Sequence, residues 1–249
     1  MSLIAMCIYC TETNGRLGYA KKCLQSLTET VDLTKHRLFL IDNASCEEAQ
    51  EFLLDFISKH PATLMRNTEN FGTARGINRA LKERLPNEYC IKADEDVTWS
   101  RSGWVEEMEA VITRDTGIGI VGLKRKDVDW DGDLLRLPHE PGQTWINVER
   151  GTYIMGTCTM FNPKLLDTVG GLRQPSPYYG VDDTLISLRS ELAGFWNCYL
   201  PHINIDHIDT GANSYTQVKQ QQAAEAWDTY MEWHRGYIDG SRPLWEDFE

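Results

Sequence analysis

The stretch Ile91-Lys-Ala-Asp-Glu-Asp-Val-Thr-Trp99 (IKADEDVTW) holds three consecutive acidic residues between two apolar runs. Residues 89–93 have the short apolar pattern of a buried strand, so Asp94, Glu95 and Asp96 should stand at the end of that strand. Neighbouring carboxylates repel one another, and burying them is costly unless each is paired or bound to a metal. The stretch therefore predicts a ligand-binding position at the end of a strand.

Strands and helices alternate on both sides of this stretch through the first half of the chain. The predicted strands are residues 3–9, 37–41, 62–66, 89–93 and 117–123, and helical spacing follows in residues 17–27, 47–60, 73–85 and 104–113. This alternation predicts a mostly parallel sheet flanked by helices. Ligands bind at the carboxyl ends of such strands, so Asp42, which ends the second strand, should share a crevice with Asp94.

The second half of the chain is less regular. Residues 126–150 are rich in Asp, Pro, Gly and Trp, and we interpret them as a long loop or an irregular hairpin. A strand at 153–161, a helix at 183–192, a strand region at 199–208 and a closing helix at 217–233 follow. No repeat or linker interrupts the chain, so residues 1–249 are expected to form one domain.

Composition excludes several classes of function. The chain carries 37 acidic and 25 basic residues, and its net charge of −12 disfavours nucleic acid and anionic lipid as partners. No apolar run approaches a membrane span, and the N-terminus lacks the basic region of a signal peptide. The seven cysteines are scattered, and Cys7 and Cys10 form a lone CxxC without the second pair that zinc needs. We expect reduced thiols in a cytoplasmic protein, peripheral to a membrane at most.

Asp94 and Asp96 form a DxD motif with the chemistry of a divalent-metal site. If the backbone turns there, both carboxylates can approach one Mg²⁺ or Mn²⁺ ion, which also binds substrate phosphates. Such a metal neutralises a diphosphate and makes it a better leaving group. Taken alone, the pair is better explained as a solvated acidic turn. Glu95 is expected to point away from the metal, since side chains alternate along an extended chain.

Two further segments follow strands. Asp42, in IDNAS, could accept hydrogen bonds from a base or a ribose. In NFGTARGIN, which begins at Asn70, Gly72 and its small neighbours let a helix N-terminus approach a ligand, and Arg75 offers bidentate phosphate contact. A helix cap for Asp42 and a plain turn at Gly72 explain these residues as well.

Asp182 and Asp183 open a predicted helix after Tyr-Tyr-Gly-Val. Carboxylates in the first turn are commonly helix caps and partners of the helix dipole. A general base would also be well placed there, at the rim of a crevice and on a rigid element.

The ordered motifs TETN, IDNAS, NFGTARGIN, KADEDV and YYGVDD resemble those of the family 2 glycosyltransferases, from about residue 4 to about residue 214. The resemblance implies a GT-A fold: an α/β, Rossmann-like domain with a mostly parallel central sheet and an irregular acceptor-side segment. It implies a nucleotide-binding half at 1–125, an acceptor and catalytic half at 126–216, and a C-terminal helix and tail at 217–249. In the irregular segment, Trp130, His139 and Trp145 could stack on sugars, and ordinary loop packing explains them equally well.

The resemblance also assigns roles to residues. The nucleotide would be held by Thr11, Glu12 and Asp42, with Asn70, Gly72, Arg75 and Asp94 beside it, and the metal by Asp94, Asp96 and a downstream histidine. We expect that histidine to be His207 and not His202, because a turn containing Gly and Ser follows it. Asp183 would be the catalytic base, with Asp182 next to it.

These expectations describe a metal-dependent, inverting glycosyltransferase that uses Mn²⁺ or Mg²⁺. The donor would be a nucleotide-diphospho-sugar of the UDP, GDP or dTDP type, and the acceptor a hydroxyl of a glycan, a lipid-linked sugar or another molecule. One alternative is a sugar nucleotidyltransferase, although TETNGRLGYAKK lacks a phosphate-loop signature. The other is a catalytically lapsed binding module, which Asp182 and Leu185 favour because the family commonly has Glu and Asp there. A homodimer is left open.

Overall fold

The computed structural model of the chain describes residues 1–128, 132–137, 142, 144–209, 211 and 214–249, with the backbone alone at 214–215. The strands are β1 (Ser2–Ile8), β2 (Arg37–Asp42), β3 (Ala62–Arg66), β4 (Tyr89–Ala93), β5 (Val97–Trp99), β6 (Ile118–Arg125), β7 (Leu134–Arg136), β8 (Asn147–Arg150), β9 (Cys158–Phe161) and β10 (Trp196–His207). The helices are α1 (Arg16–Thr30), α2 (Glu47–Lys59), α3 (Gly72–Leu81), α4 (Trp104–Arg114), α5 (Pro163–Val169), α6 (Asp182–Leu192), α7 (Ser214–Glu225) and α8 (Trp227–Asp239).

The strands of the described residues form one sheet in the order β3-β2-β1-β4-β9-β6-β10-β8-β7, and β5 pairs with β10 beside that path. Strands β1 to β4 are parallel, as are β6 and β10, whereas β9 lies antiparallel between β4 and β6. The predicted α/β fold, with helices on a mainly parallel central sheet, is confirmed. The antiparallel strands of the second half extend it.

Both faces of the sheet are buried, which explains why the first strands are almost continuously apolar. Along β1, Ile4, Met6 and Ile8 pack into the core beneath α1, α2 and α4. Leu3 and Ala5 point to the opposite face and pack beneath α3, α5 and α6. The central strands are therefore fixed on both sides, and their carboxyl ends meet at one edge.

The structure corrects three predicted boundaries. The predicted helix at 73–85 ends at Leu81, and the predicted helix at 217–233 is two helices, α7 and α8, which meet at Ala226. The predicted strand at 153–161 is a strand only from Cys158, because the amide groups of Ile154 and Met155 donate to side-chain hydroxyls and not to a neighbouring strand.

The segment at 126–150 contains the antiparallel pair β7 and β8, in agreement with the irregular hairpin that we predicted. Trp145 is exposed, and the Arg136 guanidinium lies 4.8 Å from its ring centroid. Trp130 and His139 lie outside the described residues.

The C-terminal tail packs on the second half of the sheet. The Arg189 guanidinium is fully buried and donates hydrogen bonds to the carbonyl oxygens of Leu244 and Gly171, at 2.9 and 2.7 Å. Asn78 of α3 donates to the carbonyl oxygens of Leu172 and Glu249, each at 3.0 Å. These bonds fix the chain that follows α5, which forms a wall of the site described below.

Helix α8 packs on α6, since Tyr230 and Tyr237 lie in one buried cluster with Leu185 and Leu188. A search of the described helices for one with the length and apolar character of a bilayer span found none.

Replacing Gly170 with alanine should destabilise the protein by about 3 kcal/mol, from a backbone conformation that is nearly exclusive to glycine and from overpacking together. Gly170 has φ +78°, and an added Cβ would overlap the carbonyl oxygen of Glu246 in the tail. Gly240 has the same φ but a ψ of 7°, in the left-handed helical region, and nothing lies within 4 Å of its Cβ position, so G240A should cost only about 1 kcal/mol. Urea denaturation followed by tryptophan fluorescence measures both variants. Equal losses of unfolding free energy in the two variants would show that the tail moves aside at no cost in stability.

Candidate active site

A cavity of about 270 Å³ opens at the carboxyl ends of the central strands, and we name it the acidic cavity. Its acidic lining residues come from the β4–β5 turn, the start of α6 and the segment after β10: Asp94, Glu95, Asp96, Asp182, Asp183 and Asp209. The fold thus brings together the DxD motif, the predicted base and His207, although more than 80 residues separate the first two along the chain.

Arg16, at the start of α1, neutralises one side of this cluster. Its guanidinium is 2% exposed and lies 2.6 Å from Glu95, 2.7 Å from Asp96 and 2.6 Å from Asp209. Three carboxylates on one buried guanidinium form a charge-assisted network in which every partner is held in place. Removing this arginine would leave buried carboxylates uncompensated.

Glu95 does not point away from the acidic cavity, so that expectation is wrong. Its carboxylate lines the cavity and accepts from the same guanidinium as Asp96. The alternation of side chains holds for extended backbone, whereas residues 95–96 form a turn between β4 and β5. The turn directs consecutive side chains to one side.

Lys92 of β4 lies between Asp94 of the DxD motif and Asp182 of α6. Its ammonium lies 3.1 Å from Asp94, 3.6 Å from Asp182 and 2.8 Å from the carbonyl oxygen of Gly156. Burial alone would lower the pKa of Lys92, but the charges of Asp182 and Asp94 outweigh it and hold the pKa well above its usual value. Lys92 is therefore a permanent buried cation between β4 and α6.

The carboxylates differ in their tendency to ionise. Burial raises the pKa of Asp94 and of Asp182, with Lys92 opposing it in both cases. Burial acts in the same direction on Asp96, but a hydrogen bond from His207 and the charge of Arg16 hold its pKa well below the usual range. Asp96 is thus the carboxylate of the motif most firmly kept charged.

The first turn of α6 presents Asp182 and Asp183 to the cavity. It follows Val181, whose φ of +56° is unusual for a β-branched residue and is typical of strained functional sites. Asp183 accepts from the amide groups of Gly156, at 3.0 Å, and Thr184, at 2.8 Å. Asp182 is buried, and its Oδ2 has no hydrogen-bond partner in the described part of the chain.

Strand pairing brings His207 to the DxD motif. His207 pairs with Val97 across β10 and β5, and its Nε2 lies 3.4 Å from Asp96 Oδ2. His202 instead lies 2.8 Å from Glu107 on the surface, away from the cavity. The geometry therefore favours His207 over His202 as a partner of the motif.

The residues at this point fit a divalent cation. Asp96 Oδ1 and His207 Nδ1 are buried and have no hydrogen-bond partner among the described residues, and Asp94 lines the same cavity. Carboxylate oxygen and imidazole nitrogen are suitable ligands for Mn²⁺. Within the described ranges, no three acidic, His or Cys side chains are already arranged around a common metal position. Arg16 and Lys92 instead take up part of the carboxylate capacity.

A second cavity, of about 420 Å³, lies beside the first, and we name it the polar cavity. It is lined by Tyr9, Thr11, Thr13, Asn14, Glu69, Asn70, Tyr178, Val218 and Gln222. Helix α7 runs along both cavities, because Val218 and Gln222 line the polar one and Thr216 and Lys219 the acidic one. A ligand could therefore extend from one cavity into the other.

Of the residues expected to hold the nucleotide, Thr11 and Asn70 line the polar cavity and Asp94 the acidic one. Asp42 is buried beside them and lines neither. It accepts from the Ser45 amide at 2.9 Å and lies 3.9 Å from the Arg66 side chain, as a turn cap would. Glu12 is exposed at the bend after β1 and lines neither cavity.

The start of α3 is covered by the chain itself. Its first amide groups donate to neighbours in the segment before α6, Thr73 to the Tyr178 carbonyl oxygen and Ala74 to the Gln174 side chain. Gly72, with φ +80°, packs so closely against this segment that a Cβ would not fit. Arg75 is exposed on α3 and lines neither cavity.

Sequence reasoning missed Lys92, Arg16 and Asp209 as parts of the site. Lys92 had a visible signal, since a lysine inside an apolar strand run requires a buried partner. Arg16 and Asp209 are separated by 193 residues, and no local pattern relates them.

A mainly parallel sheet with an acidic, metal-compatible cavity at its carboxyl edge is the architecture of the GT-A nucleotide-sugar transferases. The sequence family described as Glycosyl transferase family 2 matches residues 10–170, which is more than half of the chain. The protein belongs to this family of glycosyltransferases. No curated protein matches the chain in sequence.

Several solved structures share this fold. The mannosyltransferase PcManGT from Pyrobaculum calidifontis, in complex with GDP-Man and Mn²⁺, has a TM-score of 0.69 at 16% identity, over 93% of this chain and 64% of that one. S. aureus TarS 1-349 in complex with UDP has a TM-score of 0.60 at 15% identity, over 83% of this chain and 60% of that one. GalNAc-T7 with UDP, GalNAc and Mn²⁺ has a TM-score of 0.63 at 15% identity, over 83% of this chain and 44% of that one. The likeness establishes the fold, and the chain spans less than two thirds of each of these proteins.

Replacing Lys92 with methionine should destabilise the protein by about 3–5 kcal/mol, because Asp94 and Asp182 would lose their buried counter-charge. Lys126 offers a matched control, since it pairs with Asp206 at 2.6 Å while both side chains are nearly half exposed. K126M should cost no more than about 1 kcal/mol. Denaturant unfolding gives both values. If K92M were as stable as K126M, the carboxylates would not depend on Lys92.

Proposed function

We propose that the protein is a metal-dependent, inverting glycosyltransferase that moves a sugar from a nucleotide-diphospho-sugar to an acceptor hydroxyl. The main support for this proposal is the charge of the acidic cavity. Six carboxylates and four side-chain cations line it, a formal excess of two negative charges among the described residues. A diphosphate would add to this excess, whereas a divalent cation offsets it.

Asp94, Asp96 and His207 would hold that cation, Mn²⁺ or Mg²⁺. The bound metal would supply charge neutralisation of the diphosphate leaving group. Arg16 holds Asp96 in position through its Oδ2, and Lys92 holds Asp94. This support matters because metal ligands act well only when their own orientation is fixed.

Asp183 would act as the general base. The Gly156 and Thr184 amides orient its carboxylate, and it stands partly exposed at the cavity, where an acceptor can reach it. As it takes the hydroxyl proton, the acceptor oxygen bonds to the anomeric carbon and the bond from that carbon to the diphosphate breaks. Attack from the face opposite the diphosphate inverts the configuration, as the family resemblance implies. Asp182, tied to Lys92, would position this turn.

The nucleotide would lie in the polar cavity, with Thr11 and Asn70 as its contacts and Asp42 as support for the turn behind them. The donor class is UDP, GDP or dTDP, and the acceptor is a glycan, lipid-linked or other hydroxyl. Trp145 offers an exposed ring for a sugar. Exposed Trp227 and Ile238 on α8 are compatible with a homodimer. The seven free thiols suit a cytoplasmic location.

Replacing Asp183 with asparagine should lower kcat by about 10²- to 10⁴-fold, because the base is lost. Donor binding should survive, since Asp183 does not contact the cation ligands. The assay combines sugar transfer to an acceptor with thermal-shift measurement of donor binding. Asp228, an exposed carboxylate in the first turn of α8, provides the control D228N. Unchanged turnover in D183N would remove Asp183 from the mechanism.

Replacing Asp96 with asparagine should abolish the Mn²⁺-dependent part of nucleotide binding. In the wild type, a nucleoside diphosphate at 100 times its Kd should stabilise the fold by about 2.7 kcal/mol. Thermal shifts of each variant with GDP, UDP and dTDP, in Mn²⁺ and in EDTA, isolate the metal-dependent part. The exposed Asp167, paired with Arg84, gives the control D167N. If the wild type responds to no nucleoside diphosphate, the lapsed binding module becomes the better description.

A further inference from the structure

The polar cavity has the size and position of a base-binding site. Its volume of about 420 Å³ lies within the range of small-molecule pockets. Tyr178 lines this cavity and the adjacent Tyr179 lines the acidic one, so the two cavities meet at this pair. If the proposed function holds, a nucleotide with its diphosphate at Asp96 places its base among the side chains of the polar cavity.

Some of the polar groups in this cavity are already engaged. Asn14 accepts from the amides of Thr11 and Arg16 and donates to the carbonyl oxygen of Tyr9. Its amide is therefore occupied at both ends, and it serves to shape the turn after β1. Selection among bases must come from other side chains.

Asn70 keeps a free donor. Its Oδ1 accepts from Asn43 Nδ2 at 2.6 Å and from the Gly72 amide at 2.9 Å. Two donors on that oxygen fix which end of the amide is which. The Asn70 NH₂ group has no hydrogen-bond acceptor in the described part of the chain, and it is available to a ligand oxygen or ring nitrogen.

Glu69 keeps a free acceptor beside it. No hydrogen bond or ion pair engages its carboxylate within the described residues, although the side chain lines the cavity. An ionised carboxylate accepts at both oxygens and donates at neither. Adjacent residues thus offer a two-oxygen acceptor and an amide donor in one cavity.

We infer that Glu69 and Asn70 select guanine, so that the donor is a GDP-sugar. Guanine alone among the common bases has two adjacent donors, N1–H and the 2-amino group, which a carboxylate can accept together. Its O6 and N7 are acceptors for the Asn70 amide. Uracil and thymine place a carbonyl oxygen on each side of a single N–H, and adenine and cytosine place a ring acceptor beside the amino group. Each of those bases turns a lone pair toward the carboxylate.

The direct test is isothermal titration of the full chain with GDP, IDP, UDP and ADP in Mn²⁺. IDP differs from GDP only in lacking the 2-amino group. We expect GDP to bind about 10-fold more tightly than IDP, since one hydrogen bond to the carboxylate is lost, and UDP and ADP to bind more weakly still.

Glu69→Gln separates base selection from the rest of the site. This variant should weaken GDP about 10-fold, narrow the gap between GDP and IDP, and bind UDP at least as tightly as the wild type does. Because Glu69 is exposed and has no partner to lose, the fold should tolerate the change. Glu51→Gln, on the exposed face of α2, is the matched control and should leave all four affinities as they are.

The outcomes distinguish the two proposals. Tighter binding of UDP than GDP, or an equal loss of all nucleotides in E69Q, would overturn guanine selection while the transferase site stands. If no nucleoside diphosphate binds in the presence of Mn²⁺, the proposed function and the base assignment both fail.

Discussion

The structure depends on two buried cations that compensate a cluster of buried carboxylates. Without Arg16 and Lys92, the acidic residues at the end of β4 and the start of α6 would carry the full cost of desolvation and mutual repulsion. With them, each carboxylate is fixed: Arg16 holds Glu95, Asp96 and Asp209, and Lys92 bridges Asp94 and Asp182. The charged site is therefore part of what holds α1, β4 and α6 together.

Sheet topology makes this compensation possible. Parallel strands place their carboxyl ends at one edge, and β9 and β10 then bring the second half of the chain to that edge. Arg16 reaches Glu95 across 79 residues and Asp209 across 193. The pairing of β10 with β5 sets His207 beside Asp96. Each of these contacts depends on the strand pairing of the sheet.

Periodicity was enough to predict the first half of the fold, because its strands are buried on both faces and its helices have clear apolar stripes. It failed where side chains replace backbone partners, as at Ile154 and Met155, and where the chain turns, as at Glu95. Within the candidate site, local motifs located the DxD pair, Asp183 and His207. The cations that support them pair with residues far away in sequence, so no local pattern could assign them. Asp42 and Arg75 also matched motifs, but local patterns could not predict that neither residue lines a cavity.

Under the two proposals, the two cavities recognise different parts of the nucleotide through different interactions. The acidic cavity carries an excess of negative charge among the described residues, so under the proposed function a diphosphate would bind there together with a cation, through interactions common to every diphosphate. In the polar cavity the side-chain amide of Asn14 is engaged, whereas the Glu69 carboxylate and the NH₂ group of Asn70 have no partner within the described residues and can meet a base. Each such hydrogen bond is weaker than the charge interactions of the acidic cavity. A mismatched base, however, leaves buried polar groups unpaired, and that cost discriminates between bases. Affinity for the phosphates and selection of the base can thus change independently, because they rest on different residues.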